Sequence, residues 1–97
     1  MNVPVRFFSS LRALVGKKME CVKFEDREEA TVEKVLKRLS EIYGKDFTEY
    51  VFDGRTGEIQ SHLLLLVNGR NITMLDGLET RLIDGDVLAI LPPVGGG

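Results

Sequence analysis

Between Thr31 and Gly44 the residues Val32, Val35, Leu36, Leu39 and Ile42-Tyr43 recur at helical spacing, while Glu33, Lys34, Lys37, Arg38 and Glu41 take the opposite face. Thr31 offers a hydroxyl N-cap, and Gly44 ends the helix where a positive φ carries no side-chain penalty. A single apolar stripe of this kind must bury against something, and the other apolar faces in the chain have strand character. Val3, Val5 and Phe7 alternate in the first of these, with Pro4 near a strand start where few ladder donors are lost. Ser9 to Gly16 reads as a connection, and Met19 to Glu25 as a second strand with Val22 and Phe24 on one face and Cys21 and Lys23 on the other. His62 to Val67 is apolar on both parities, which predicts a strand covered on both faces. Asn68-Gly69 and Asp84-Gly85-Asp86 are turns, Asn71-Ile72-Thr73 a short strand, and Leu75, Leu78 and Leu82 anchors of a long loop before a last strand over Val87 to Leu91. Lys45 to Gln60 has no clear period, although Asp53-Gly54-Arg55-Thr56-Gly57 signals a loop or hairpin. The expected fold is α+β, one main helix packed across a mixed sheet.

Ninety-seven residues suit one domain, with residues 1–91 as its body and 92–97 as a tail. Thirteen basic and fifteen acidic residues leave a net charge of -2, without the positive field that nucleic acid requires. The longest apolar run, Leu63 to Val67, is far too short to span a bilayer, so no membrane partner is expected. One cysteine, Cys21, allows no internal disulfide, and Met1-Asn2-Val3-Pro4 lacks the pattern of a signal peptide. A cytoplasmic protein is the expectation.

The body of the chain lacks a catalytic constellation. His62 is the only histidine and supplies neither a multi-histidine metal site nor a triad. Cys21 sits in strand-like sequence, where cysteine usually acts as a small hydrophobe. Asp84 and Asp86 flank a glycine in a turn, and the glycines between Gly16 and the tail form no phosphate-cradling series. No bound metal or permanent cofactor is expected.

The tail is more informative. It reads Leu91-Pro92-Pro93-Val94-Gly95-Gly96-Gly97. Two prolines bias the chain toward an extended exit from the last strand, and three glycines then present backbone without side chains over roughly 10 Å. Such a tail can thread a narrow channel and bring the Gly97 carboxylate to a partner's reactive atom. With a reference pKa of about 3.3–3.7, that carboxylate is ionised at neutral pH and can attack a nucleotide's α-phosphate.

Val67-Asn68-Gly69, Leu82-Ile83-Asp84-Gly85-Asp86-Val87 and the Pro92-Pro93-Val94…Gly96-Gly97 ending resemble the MoaD signature within the MoaD/ThiS-type ubiquitin-like sulfur carriers, ThiS-like members being less similar because they lack the Pro-Pro-Val brace. Phe7-Phe8 through Leu11-Arg12 to Gly16 resembles that family's first strand and the connection after it. The likeness spans the chain except Lys45 to Gln60. It implies a ubiquitin-like β-grasp protein with no catalysis of its own, the small subunit of a molybdopterin synthase. A ubiquitin-activating-like (MoeB-like) enzyme would spend ATP to adenylate Gly97, a sulfur donor would convert it to a thiocarboxylate, and a MoaE-like large subunit would receive the sulfur. Gly95 and Gly96 would thread the partner's channel. The longer middle segment also occurs in archaeal SAMP-like modifiers, which attach to lysines of target proteins, so sulfur carriage for molybdenum or tungsten cofactor and protein modification both remain open. A third reading is a plain β-grasp interaction module.

The docking surface follows from strand parity. Phe8 has opposite parity to Val5 and Phe7, and Leu91 immediately precedes the tail, so Phe8, Leu91 and the neighbouring Arg6 are expected to form an exposed patch. The alternative is that Phe8 and Leu91 pack under residues 45–60.

Overall fold

The computed structural model describes residues 1–92. The amphipathic segment forms a helix over Val32–Tyr43 (α2; α1 and α3 are introduced below), with the Thr31 hydroxyl accepting from the Lys34 amide at 3.2 Å. Gly44, at φ 83°, closes it by donating its N–H to the Ser40 carbonyl at 2.7 Å. Val32, Val35, Leu36 and Leu39 are fully buried. Each such side chain is worth about 1.5–3 kcal/mol of burial, so the stripe anchors the domain.

It packs on a five-stranded mixed sheet made of β1 (Asn2–Phe7), β2 (Met19–Lys23), β3 (Leu64–Val67), β4 (Arg70–Asn71) and β5 (Leu88–Leu91). The strand order is β2-β1-β5-β3-β4, with β1 and β5 parallel at the centre and the other pairs antiparallel. Pro4 costs no rung, because the ladder to β5 begins one residue later at Val5↔Leu88. Val3, Val5, Phe7, Val22, Leu65, Val67, Leu88 and Ile90 point to the helix side and form the core.

Several expectations need correction. Ser9 to Gly16 is not a plain connection: Ser9–Val15 is a helix (α1), ended by Gly16 at φ 78°. Its seven residues bury only Leu11 fully, too few apolar positions for a period to register. Lys45–Val51 is a third helix (α3), burying Phe47 and Val51 one turn apart. Its Phe47 meets Phe7 edge-on at 6.4 Å and Tyr43 at 5.9 Å, so this segment packs on the helix side of the sheet. The loop signal that follows holds, closed by a Phe52↔Ile59 bridge and by the Asp53 amide donating to the Glu58 carbonyl at 2.7 Å. Asn71 ends β4 and caps a short 3-10 turn over Ile72–Met74, where a strand was expected.

The largest correction concerns the leucine run. β3 is not covered on both faces: Leu65 and Val67 are buried, but Leu64 and Leu66 are only half-buried on the side away from the helices. The run is apolar on both parities because its two faces serve two different surfaces.

Candidate functional site

Among the described residues no element roofs that side of the sheet, and it is the candidate site. Cross-strand register sets Leu64 beside Leu91, Leu66 beside Ala89, Arg6 beside Ala89, and Met19 beside Arg6. Phe8 lies one residue past β1, but at φ -128° and ψ 152° it is still extended, so it keeps the alternation and stands level with Leu91. Phe8, Leu64, Leu66, Ala89 and Leu91 are all half-buried, and Met19 is 53% exposed. Since α3 and the loop after it pack on the helix side, residues 45–60 do not roof this face.

The three sequence-predicted docking residues, Arg6, Phe8 and Leu91, therefore lie on one surface. The Arg6 guanidinium sits over the Phe8 ring, 5.6 Å from its centroid. Leu91 ends β5, and half-buried Pro92 follows it, so the strand nearest the patch is the one that leads into the tail. Gly95, Gly96 and Gly97 lie outside the described residues. Leu64 and Leu66 were missed as members of this surface. The signal is the two-sided leucine run, whose second apolar parity marks this surface and not a second covering layer.

The turns that carry the sequence signature are structural, and they meet. Asn68, at φ 50°, accepts from the Val87 amide through Oδ1 at 3.0 Å and donates through Nδ2 to Asp86 Oδ1 at 2.8 Å. Asp86 Oδ2 accepts from the Ile83 amide at 2.9 Å, and Gly85 supplies φ 95° between them. Both Asp86 oxygens are thus engaged in shaping the turn that launches β5. Asp84 Oδ1 accepts from the Asn2 amide at 3.3 Å.

Elsewhere the chemistry is scaffolding. Tyr43 donates to Glu20 at 2.7 Å and Lys17 to the same carboxylate at 3.1 Å, tying α2 to β2. The Tyr43 hydrogen bond, with Lys17 second, holds the Glu20 carboxyl below its ordinary value, and burial together with Glu20 raises the Tyr43 phenol. Among the described residues, no group of three His, Cys, Asp or Glu side chains could hold a metal ion, and no helix is long and apolar enough to cross a membrane. His62 and Cys21 are exposed.

An open apolar sheet face whose central strand runs into a glycine-rich ending can be weighed against known proteins. The profile of the ThiS family matches residues 5–97. The chain belongs to the ThiS family. Small archaeal modifier protein 3 of Haloferax volcanii is 38% identical to this ThiS-family chain over 97 residues, the full length of both. A putative sulfur carrier protein of Archaeoglobus fulgidus is 40% identical over 72 residues, 74% of this chain and 80% of that one. The crystal structure of SAMP1 from Haloferax volcanii matches with a TM-score of 0.82 at 28% identity, covering all of both chains. The architecture is the ubiquitin-like β-grasp expected from the sequence, with two seven-residue helices added to the main one.

Proposed function

We propose that this ThiS-family chain is a carrier that works through the carboxylate of Gly97. In the first step that carboxylate attacks the α-phosphate of ATP on a ubiquitin-activating-like enzyme, forming an acyl adenylate and releasing pyrophosphate. In the second, a donor of sulfide-level sulfur attacks the acyl carbon, AMP leaves, and the product is a thiocarboxylate, a soft nucleophile on a side-chain-free arm. The sulfur then passes to a pterin precursor held by a MoaE-like synthase subunit, in the cytoplasm. Gly95 and Gly96 thread the enzyme's channel, where a Cβ would clash. Arg6, Phe8 and Leu91 hold the enzyme.

The observation that carries this reading is the bare apolar face around β5. A monomer rarely leaves a contiguous apolar surface without a partner, and this one adjoins the strand that leads to the tail. Intact-mass measurement on protein from its native host tests it. The expected species has one oxygen replaced by sulfur at Gly97; an unmodified terminus under conditions of active cofactor synthesis would count against sulfur carriage.

The full-length likeness to Small archaeal modifier protein 3 favours a second reading, conjugation of Gly97 to lysines of target proteins. It shares the adenylation step and differs in the acceptor. The same sample decides between them, since conjugation leaves Gly97 joined to lysine side chains in tryptic peptides.

A further inference from the structure

The charges on the open face do not match those of the chain. On β1, β2, β3 and β5 the positions facing away from the helices are Asn2, Pro4, Arg6, Met19, Cys21, Lys23, Leu64, Leu66, Ala89 and Leu91. Arg6 and Lys23 are the charged ones among them, and no carboxylate is present. Yet the whole chain has fifteen acidic residues and a net charge of -2. A third cation joins at the rim. α1 begins just after Phe8, and its Arg12 turns back so that Nε donates to the Phe7 carbonyl at 3.3 Å and the guanidinium stands 5.9 Å from the Phe8 ring centroid. Phe8 thus carries a guanidinium from β1 and another from α1.

Among the described residues, neither guanidinium is in an ion pair; the basic residues so engaged are Lys17, Lys37, Arg38, Lys45, Arg55 and Arg81. The carboxylate that register sets beside this end of β1, Glu20 opposite Val5, lies on the helix side and is engaged by Tyr43 and Lys17. A guanidinium lying over an aromatic face still points its N–H donors outward in its own plane; in Arg12 the Nη groups remain after Nε has gone to the Phe7 carbonyl, and such donors match a carboxylate. The ring preorganises the two cations, so less side-chain freedom is lost when a partner arrives.

We infer that Arg6 and Arg12, mounted on Phe8, form a carboxylate-reading site for an acidic protein surface. The partner surface has an apolar centre that meets Leu64, Leu66, Ala89 and Leu91, and acidic side chains that meet the two guanidiniums. This rests on the proposed activation of Gly97 and specifies the chemistry of the enzyme face that holds the carrier. The arginines steer and orient the encounter, while the apolar stripe supplies the holding contact.

The test is ATP–pyrophosphate exchange by the host's activating enzyme with wild type, Arg6→Glu, Arg12→Glu and Leu66→Ala carriers, at ~0.05 M and ~1 M NaCl, where screening lengths fall from over 10 Å to about 3 Å. Each charge reversal is expected to raise KM for the carrier about tenfold or more at low salt and much less at high salt. Leu66→Ala should raise KM at both. If the charge reversals leave the low-salt KM unchanged, the inference is overturned even though activation stands. If wild type supports no exchange, the activation reading fails, and a second measurement still judges the site. In it, backbone NMR shifts are followed as the carrier is titrated with a peptide alternating leucine and aspartate, against one alternating leucine and lysine. Shifts at Arg6, Phe8 and Arg12 with the acidic peptide alone support the inference. Equal response to both peptides, response confined to the helix side, or binding of anionic phospholipid vesicles in preference to the acidic peptide overturns it.

Discussion

Leu65 and Leu66 are chemically identical neighbours on β3, and only strand parity separates their roles. Leu65 is 3% exposed and packs in the core; Leu66 is half-buried on the open face beside Ala89. Leu65→Ala removes buried methyl groups and leaves a cavity, at a cost of about 2–5 kcal/mol. For a domain this size, each kcal/mol shifts Tm by about 4–8 °C, so a loss of roughly 8–40 °C is expected. Leu66→Ala forfeits only partial burial, about 1 kcal/mol or less, and lowers Tm by about 5 °C. Its cost should appear in binding instead. Truncating a central apolar anchor removes about 2 kcal/mol or more, a greater than tenfold loss of affinity for the activating enzyme. Phe8→Ala and Leu91→Ala should behave like Leu66→Ala. Thermal melts and exchange assays on the same preparations provide the check. Equal destabilisation by Leu65→Ala and Leu66→Ala would mean that the face is covered and that the docking surface lies elsewhere.

Deleting Gly97 retracts the carboxylate about 3.5 Å from the α-phosphate and should abolish adenylation without changing Tm, whereas normal exchange by the truncated protein would refute the carrier reading. Gly96→Ala should reduce exchange for steric reasons, again at unchanged Tm. Asn68→Ala removes the contacts to Asp86 and the Val87 amide and should cost about 1–3 kcal/mol of stability by chemical denaturation, with Asn68→Asp failing to rescue because it places a second carboxylate against Asp86. Tyr43→Phe should cost about 1 kcal/mol at neutral pH by removing the hydrogen bond to Glu20. Glu20's carboxyl is lowered in the folded state, so its contribution is present above its unfolded pKa and fades as pH falls through the folded one. The gap between wild type and Tyr43→Phe should therefore narrow in melts taken below about pH 4.

The amphipathic helix, the core parity of β1 and the two signature turns were legible because each writes a local pattern. Thr31 caps α2 through its hydroxyl, Gly44 closes it at a positive φ that the lack of a Cβ permits, and Val3, Val5 and Phe7 alternate as a half-buried strand must. The patch of Arg6, Phe8 and Leu91 was legible by the same alternation. Short helices α1 and α3 were not, because seven residues with one or two buried positions carry too little period to stand out.

What the sequence alone determined is the layer arrangement, one apolar helix stripe facing strands that offer an apolar parity, together with an ending in three glycines behind two prolines. What only the tertiary structure decided is which surfaces stay bare. Alternation says which residues share a face but not whether another element covers it. In Leu64 to Val67 both parities are apolar, and it took the placement of α3 against Phe7 and Tyr43, on the helix side, to leave Leu64 and Leu66 uncovered. Arg12 reaches Phe8 for a similar reason: a helix turn after β1 folds it back, a contact set by three-dimensional direction and not by spacing along the chain.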